Sequence, residues 1–349
     1  MTRVLALTRY DHVGASSRVR FLQYIPHLER RGVSVAVQPL LSNESLARLY
    51  QDGQRSKGGL LAALGRRAAA LLGAKADVIW LQQEIFPYLP AMIEAGLLRG
   101  RPCVIDFDDA YHLYYQNHTS ALARALFGGK IAYLMRAART VVVGSEMMAA
   151  YARDAGAGDV RLVHSAVDTG RFPATVPPSA FTVGWIGTPM TAQQSLHVLR
   201  EPLKRFLAET GAACMLMGAD ARQYPDIPAA RLPWSEAGEQ AFLASLSVGL
   251  CPLEDSPWTR GKSGYKIIQY MSAGRAALAS PVGIAAGLVE PGVTGFHCQT
   301  EDEWYAALMV LYRDPGLRAR LGQAARARAV ERYDVLAAAD AVYRALTAS

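Results

Sequence analysis

The feature that most constrains the fold is an alternation of short apolar runs with amphipathic segments. In the first half, the apolar runs predict buried strands at Val4–Thr8, Val33–Leu41, Ala76–Leu81, Pro102–Phe107 and Thr140–Val143, with a last short strand at Arg161–Val163. Helical segments separate them, the first running from about Ser17 to a stop at Gly32. Strands that alternate with helices form right-handed βαβ units, so the pattern predicts a parallel sheet.

The pattern stops at a proline-rich segment and then starts again. Residues 172–178 contain three prolines, which remove backbone donors and disfavour helix. Beyond them, new strands are predicted at Phe181–Ile186, Ala213–Met217, Val248–Leu253 and Ala276–Ala279, with a helix near Gln194–Thr210. A chain of 349 residues exceeds the usual size of one hydrophobic core. We therefore predict an α/β protein with two doubly wound domains, residues 1–172 and 179–334, joined by a linker at 173–178.

Composition narrows the function classes. Lys and Arg outnumber Asp and Glu by 37 to 30, and this excess favours anionic partners such as phosphates and nucleotides. It is not clustered into a basic arm, and no zinc-finger or RNP-like motif is present, so nucleic acid is not expected as a partner. The start of the chain does not resemble a signal peptide, and no apolar run is long enough to span a membrane. The four cysteines show no metal-ligand spacing and fit buried thiols in a reducing cytosol, so a cytoplasmic location is expected.

Ligands of open parallel sheets bind beyond the carboxyl ends of the strands. The loops that matter should therefore follow strands, and two such domains facing each other would form a cleft. These loops are residues 11–18, 82–87, 106–112, 187–191 and 254–266.

The most informative segment is residues 261–283. A loop with Gly261, Ser263 and Gly264 opens a helix that includes Tyr265 and ends at Gly274. A helix N-terminus preceded by small residues offers backbone N–H groups to a phosphate, and Lys262 and Lys266 add positive charge. From the loop alone, an ordinary βαβ turn with solvated lysines explains the segment equally well.

This segment resembles the donor-binding helix of GT-B glycosyltransferases, especially retaining family 4. Further similarities follow in family order at Val143–Ser145, Val163–Phe172, Gly292–Phe296 and Arg318–Tyr333. The resemblance implies a GT-B fold, with two Rossmann-like domains facing across a cleft and a C-terminal helix at 335–349 packing back on the N-terminal domain. It also implies a nucleotide-diphosphate sugar donor, with UDP or GDP as the nucleotide, and neither a metal nor a cofactor.

Two departures concern the family's donor-binding side chains. Its two glutamates fall on Gly261 and Gln269 here. The Gln269 amide can still bind ribose hydroxyls, whereas glycine cannot replace a carboxylate that supports the sugar. Backbone N–H groups, Glu254 or Asp255 are the alternatives for the sugar contacts.

The family's Arg and Lys pair after the first C-terminal strand is also missing. Gly187 and Thr188 stand there, in a loop that continues to Thr191 and offers hydroxyls and backbone amides. We expect Lys262 to supply much of the charge that binds the diphosphate.

The first loop of the N-terminal domain holds further donor-site candidates. Gly14 permits a close backbone turn, and Ser16 or Ser17 can cap the following helix. Arg18, on the first turn of that helix, is predicted to face the cleft, with a surface salt bridge as the alternative.

The acidic segment Asp106–His112 supplies the catalytic candidates. It carries Asp106, Asp108 and Asp109 beside His112, at a strand end where relatives have His-Asp. Like charges repel, so such a cluster favours a role in the cleft, and we expect Asp108, Asp109 and His112 to be catalytic. Asp106 and Asp108 also imitate the metal-binding pair of the other glycosyltransferase fold, GT-A, but the resemblance downstream is to GT-B.

Residues 55–75 combine leucines with basic residues. The pattern is typical of an amphipathic helix on an anionic membrane, but the same leucines could cover the sheet. Peripheral contact with the inner face of the membrane is therefore an open expectation.

The resemblance implies a hexosyltransferase-type enzyme of glycan or glycoconjugate biosynthesis. It would transfer a sugar, with retention, to a hydroxyl of an acceptor sugar, glycolipid or small molecule. Two alternatives stay open: a non-catalytic or regulatory GT-B subunit, suggested by Gly261, and a nucleotide-sugar epimerase. A dehydrogenase is disfavoured because no GxGxxG motif follows the first strand.

Overall fold

The computed structural model describes residues 1–52, 57–98, 100–172, 179–220 and 222–348, which form two compact units. The first unit comprises Met1–Ser165, Gly261–Ser263 and Val335–Ser349, and the second comprises Ala166–Arg260 and Gly264–Asp334. The linker predicted at 173–178 lies outside the described residues. The first unit ends before residue 172 because the backbone N–H of Val167 donates to Tyr333 O at 2.9 Å, within the second unit.

The first unit is built on a six-stranded parallel sheet in the order β2-β1-β3-β4-β5-β6. The strands are β1 (Thr2–Tyr10), β2 (Val33–Leu41), β3 (Val78–Gln82), β4 (Cys103–Phe107), β5 (Thr140–Val143) and β6 (Val160–Leu162). All six predicted strands are confirmed, with shifts of a few residues at their ends. Every residue of β3, β4 and β5 is buried, which explains why these strands are continuous apolar runs rather than alternating ones.

Nine helices are described between these strands. They are α1 (Ala15–Arg20), α2 (Ile25–Glu29), α3 (Asn43–Asp52), α4 (Lys57–Gly73), α5 (Ala91–Leu97), α6 (His112–Gln116), α7 (Ala121–Phe127), α8 (Lys130–Ala137) and α9 (Glu146–Asp154). The prediction of one helix from Ser17 to Gly32 is wrong. Phe21 has non-helical backbone angles and buries its ring against Trp80 at 4.2 Å, and a short 3-10 turn then leads into α2.

The second unit repeats the architecture, with the order β12-β11-β10-β7-β8-β9. The strands are β7 (Thr182–Ile186), β8 (Ala213–Met217), β9 (Ala230–Leu232), β10 (Val248–Cys251), β11 (Ala276–Ala279) and β12 (Gly295–His297), all parallel. The four predicted strands are confirmed. The sequence analysis missed β9 and β12, which have three residues each and form the two edges of this sheet.

The remaining described helices complete the chain. They are α10 (Pro189–Ser195), α11 (Arg200–Thr210), α12 (Glu236–Ser245), α13 (Pro257–Arg260), α14 (Tyr265–Ser272), α15 (Ala285–Leu288), α16 (Glu301–Arg313), α17 (Pro315–Arg332) and α18 (Val335–Thr347). The helix predicted at Gln194–Thr210 begins earlier and is interrupted by a 3-10 turn at Leu196–Leu199. Among the described residues, no helix is both long and apolar enough to cross a membrane.

Helix α18 is part of the first unit. Arg31 forms an ion pair with Asp340 at 2.7 Å and places its guanidinium over the ring of Tyr343. Arg139, just before β5, donates to the carbonyl oxygens of Ala345 and Ala348 at 2.9 and 2.6 Å. These bonds satisfy carbonyls that a helix end otherwise leaves unpaired.

Candidate functional site

The loop after β1 turns into α1 at Gly14. A Cβ there would lie 2.1 Å from the Tyr10 Cβ, so only glycine fits this turn. Gly14 is itself the N-cap residue, which corrects the expectation that Ser16 or Ser17 caps the helix. Ser17 is buried instead, where its hydroxyl accepts from the Tyr10 N–H at 2.9 Å and donates to Gln82 Oε1 at 2.7 Å.

Ser16 and Arg18 also lie in this turn. The Ser16 hydroxyl accepts from Gln82 Nε2 at 3.1 Å. Arg18 is only 7% exposed and donates to the carbonyl oxygen of His12 at 3.2 Å. Both residues therefore lie at the carboxyl edge of the first sheet.

A polar run follows β3 within the predicted loop 82–87, whose individual side chains the sequence analysis did not assign to the site. Glu84 is buried and accepts from the hydroxyls of Tyr111 and Tyr115 at 2.5 and 2.7 Å. Lys130 Nζ lies 2.6 Å from Glu84 and 2.7 Å from Glu94, so two carboxylates share one buried ammonium. Burial raises the pKa of Glu94 to about 7, against the opposing charge of Lys130. The sequence signal that indicates this buried polar cluster is the run of three polar residues at the end of β3, Gln82, Gln83 and Glu84.

The acidic segment after β4 divides into residues with different surroundings. Asp106 is fully buried and accepts two bonds from Arg20, both 2.9 Å long, while Arg20 also donates to Val163 O at 2.6 Å. The sequence analysis treated Asp106, Asp108 and Asp109 as a cluster of like charges. The structure corrects this for Asp106, which is half of a buried ion pair. A carboxylate held bidentately by an arginine has little lone-pair capacity left for a metal.

Asp108 is different, because it is 8% exposed and has no ion pair of this kind among the described residues. Gln83 Nε2 donates to its Oδ1 at 3.4 Å. Burial, followed by the negative charge of Asp109, raises the pKa of Asp108 to about 7, with Arg20 opposing the shift. This carboxyl group is therefore suited to exchange a proton near neutral pH.

Asp109 and His112 lie in the same unit as Asp108. Asp109 is partly exposed, and Lys262 Nζ lies 3.9 Å from its Oδ2. His112 stacks on Tyr151 at 3.8 Å, and its Nδ1 has no hydrogen-bond partner within the described part of the chain. Burial lowers the pKa of His112 to about 4, so its ring is neutral at physiological pH.

In the second unit, β7 ends in a tight turn at Gly187. A Cβ on Gly187 would lie 2.4 Å from the Trp185 ring, and one on Gly218 would lie 2.1 Å from Gly187 O. The Thr188 hydroxyl accepts a hydrogen bond from the Thr191 N–H at 3.2 Å, and the Thr191 hydroxyl accepts one from the Thr188 N–H at 2.8 Å. The Thr188 side chain therefore caps the N-terminus of α10. The backbone of the loop at Gly187 lies in close contact with Trp185 and Gly218.

The segment predicted as one phosphate loop is divided between the two units. Lys262 and Ser263 belong to the first unit, whereas Gly264 and α14 belong to the second. Gly264 has a φ of +69°, which favours glycine, and precedes Tyr265 at the start of α14. Lys266, on the first turn, holds its ammonium 4.2 Å from the centroid of the Trp185 ring. Lys266 and Gly187 therefore both lie beside Trp185 in the second unit.

Gln269 is buried and pairs with a carboxylate that the sequence analysis missed. Its Nε2 donates to Glu239 Oε1 at 2.6 Å, and Trp234 Nε1 donates to the same oxygen at 3.4 Å. Glu239 comes from α12, so a buried carboxylate of another helix lies beside Gln269. Of the alternatives for sugar contacts, Asp255 is paired with Arg260 at 2.6 Å, and Glu254 is exposed.

Helix α4 contains most of the predicted basic amphipathic segment, but residues 55 and 56 lie outside the described residues. Arg67 is fully buried rather than on a basic face, and it donates to the carbonyl oxygens of Thr8, Gln38 and Ile85. Burial lowers its pKa to about 9. Leu71 packs into the core, while Leu61 and Leu72 are 70% and 73% exposed. The helix thus covers the sheet and leaves other leucines in solvent.

No group of three His, Cys, Asp or Glu side chains that could hold a metal ion occurs among the residues that the structure describes. The four cysteines are buried free thiols.

Comparison with known proteins identifies the fold. No protein-family model matches the sequence, and no curated protein sequence matches it. Among solved structures, HepE of Anabaena with UDP-glucose is similar over 100% of both chains, with a TM-score of 0.73 and 18% identity. Sucrose-phosphate synthase of Thermosynechococcus elongatus also covers 100% of both chains, with a TM-score of 0.72 and 15% identity. WaaG, a glycosyltransferase involved in lipopolysaccharide biosynthesis, has a TM-score of 0.71 and 12% identity over 99% of this chain and 100% of its own. With two six-stranded parallel sheets flanked by helices, this chain has the GT-B fold.

Proposed function

We propose that the protein is a glycosyltransferase that moves a sugar from a nucleotide-diphosphate donor to an acceptor hydroxyl. The observation that carries the proposal is Asp108, a buried carboxyl group with a pKa near 7 at the carboxyl edge of the first sheet. That edge is where open parallel sheets bind ligands. The similarity to HepE, whose structure contains UDP-glucose, supports a nucleotide-sugar donor.

The first unit would bind the acceptor and remove its proton. The acceptor oxygen forms a bond to the anomeric carbon as the bond from that carbon to the phosphate oxygen breaks. The hydroxyl proton passes to Asp108, and the nucleotide diphosphate leaves with the bonding electrons. Asp109 and His112, beside Asp108, are proposed to orient the acceptor, because the neutral His112 ring is able both to donate and to accept.

The second unit would bind the donor. Lys266 and the backbone of the Gly187 turn lie close together there, and a cation with backbone N–H groups stabilises the charge that develops on a leaving diphosphate. Thr188, Gly264 and Tyr265 shape this turn and the start of α14. Gln269 and Glu239 form the hydrogen-bonding pair proposed for the ribose. Lys262 and Ser263 are proposed to add charge and a hydroxyl near the diphosphate.

Finer assignments belong to the proposal as well. Membership of family 4, retention of anomeric configuration and hexosyl transfer rest on the motif resemblance at Met271–Gly274 and Gly292–Phe296. Metal independence is supported by the Arg20–Asp106 ion pair, which occupies one of the two carboxylates that a metal pair would need. The proposed location is the cytoplasm.

A thermal-shift screen against UDP, GDP and their sugars tests the donor site, because a ligand that binds only the native state raises its melting temperature. Product analysis of the stabilising sugar nucleotide, without acceptor, then separates the alternatives. Release of free sugar supports a transferase, an altered sugar on intact nucleotide identifies an epimerase, and no turnover with or without acceptors identifies a regulatory subunit.

We also propose peripheral membrane contact through residues 55–75. The exposed Leu61 and Leu72 lie on the same helix as the exposed Arg66, a combination of apolar and cationic groups that favours an anionic interface. Sedimentation with phosphatidylglycerol vesicles tests this, with the double substitution Leu61→Gln and Leu72→Gln as the comparison. Equal sedimentation of both proteins would contradict membrane contact at this helix.

A further inference from the structure

Gln83, the first residue after β3, lies between a cation and the proposed base. Arg9 Nη1 donates to Gln83 Oε1 at 3.0 Å, and Gln83 Nε2 donates to Asp108 Oδ1 at 3.4 Å. We infer that Gln83 is a positioning residue, which holds Asp108 Oδ1 and leaves Oδ2 as the oxygen that takes the acceptor proton. This inference rests on the proposed function. It adds the residue that positions the base, Gln83, and the atom that takes the proton, Asp108 Oδ2.

The direction of the Gln83 amide follows from the chemistry of its partners. A guanidinium has five N–H donors and no acceptor, so the amide oxygen must face Arg9. If the amide were reversed, its NH2 group would face the N–H donors of Arg9, and its oxygen would face a carboxylate oxygen of Asp108. Arg9 is in turn fixed by the hydroxyls of Tyr111 and Tyr10, at 2.5 and 3.1 Å. The amide therefore presents an N–H to Asp108.

The consequence concerns the two oxygens of Asp108. The N–H bond from Gln83 occupies one lone pair of Oδ1 and lowers the basicity of that oxygen, so protonation of the carboxylate is favoured at Oδ2. Oδ2 is thus the oxygen that accepts the hydroxyl proton of the acceptor, which becomes the O–H of a neutral carboxylic acid. The negative charge passes to the nucleotide diphosphate that leaves.

The backbone supports a role for the Gln83 side chain. Gln83 has a φ of +65°, in the left-handed region that favours glycine. Its N–H donates to Asp106 O at 3.1 Å, which fixes the turn against β4. A turn with only a structural role would be served better by glycine. The two side-chain hydrogen bonds of Gln83 offset the strain, as is common at functional sites.

The test uses Gln83→Gly and Gln83→Met in the full chain, with Gln323→Met, an exposed glutamine of α17, as the control. The Asp108 carboxyl is followed by carbon-13 NMR during a pH titration without ligand, and its signal is assigned with Asp108→Asn. Loss of an N–H bond to the charged form raises the titration midpoint, here by about half to one pH unit in both Gln83 variants. Gln83→Gly should melt at or above the wild-type temperature, since it removes the backbone strain.

Turnover supplies the second measurement. With the sugar nucleotide that stabilises the protein most, hydrolysis should fall about tenfold in both Gln83 variants, with little change in donor KM. An unchanged Asp108 midpoint in both variants would overturn the inference, whatever the turnover. Full turnover in Asp108→Asn would overturn the proposed base, while the titration would still decide whether Gln83 holds Asp108. If Gln83→Gly does not fold, Gln83→Met decides alone.

Discussion

The carboxyl edges of the two sheets carry different types of residues, although both sheets have six parallel strands. The edge of the first sheet is crowded with buried charged and amide groups, among them Gln83, Glu84 and Asp108. At the edge of the second sheet, glycines stand at Gly187 and Gly218, where a Cβ would collide with its neighbours, and the Lys266 ammonium lies over Trp185.

This difference indicates a division of labour. Buried titratable groups have shifted pKa values and fixed orientations, which suit proton transfer. Glycine turns and backbone N–H groups suit the close approach of a phosphate. The difference agrees with the proposed function, in which the first edge acts on the acceptor and the second binds the donor. The predictions below test this difference, from the largest expected effect to the smallest.

The largest effect is expected at the buried ion pair of the first edge. Arg20→Met leaves Asp106 buried and unpaired, which should destabilise the protein by about 3–5 kcal/mol in urea unfolding. Arg3→Met, which breaks the exposed pair with Asp77, should stay close to wild type. If both variants lost the same small amount of stability, the first edge would not depend on buried charge.

Asp108→Asn keeps the size of the side chain and removes its basicity. Turnover should fall about 100-fold or more, because loss of a general base commonly has an effect of this size. Nucleotide affinity, measured by calorimetry, should change little, because the donor contacts are proposed for the other unit. Near-normal turnover in the folded variant would move the proposed base to Asp109 or His112.

The same substitution should change how stability depends on pH. Asp108 has a pKa of about 7 in the folded protein against an ordinary value of 3.8, so the folded state binds this proton more tightly. Its stabilising contribution is therefore present at low pH and is lost as the pH rises toward 7. Between pH 5 and 8.5 the wild type should lose about 3 kcal/mol more than Asp108→Asn. Asp154→Asn, at an exposed site, should follow the wild type.

The smallest effect is expected at the second edge and at the loop before α14. Lys266→Ala and Lys262→Ala should each weaken nucleotide-diphosphate binding by about tenfold, roughly the loss of one charge-assisted contact. Lys204→Ala is the control, since this exposed lysine pairs with Glu201 and Asp226. Equal, minor effects of all three substitutions would exclude a phosphate role for Lys262 and Lys266.

The sequence predicts the strands well where the runs are long and apolar. All ten predicted strands are present. In six of them every residue is buried, which imposes continuous hydrophobicity: β3, β4, β5, β7, β10 and β11. It fails where tertiary contacts decide the outcome. Phe21 breaks a helix because its ring stacks on Trp80, and nothing local to Phe21 encodes that contact.

Side-chain pairing in the site is hard to predict for the same reason. Arg20 and Asp106 are far apart in sequence, as are Gln269 and Glu239, yet each pair is joined by hydrogen bonds. The acidic segment after β4 is visible in the sequence, but which of its carboxylates is neutralised is not. Gln83 lies in the predicted loop 82–87, but its proposed role depends on Arg9 and Asp108 together, which the sequence does not reveal.

Helix α18 has a consequence for synthesis of the protein on the ribosome. Arg31 and Arg139, translated early, bond to residues of α18, and α18 is translated after all of the second unit. The second unit can therefore complete its core while the first still lacks a helix. Until α18 is synthesised, the surface of the first unit that this helix covers stays exposed and accessible to chaperones. The first unit, although it is synthesised first, can therefore complete its fold only after the second unit has been synthesised.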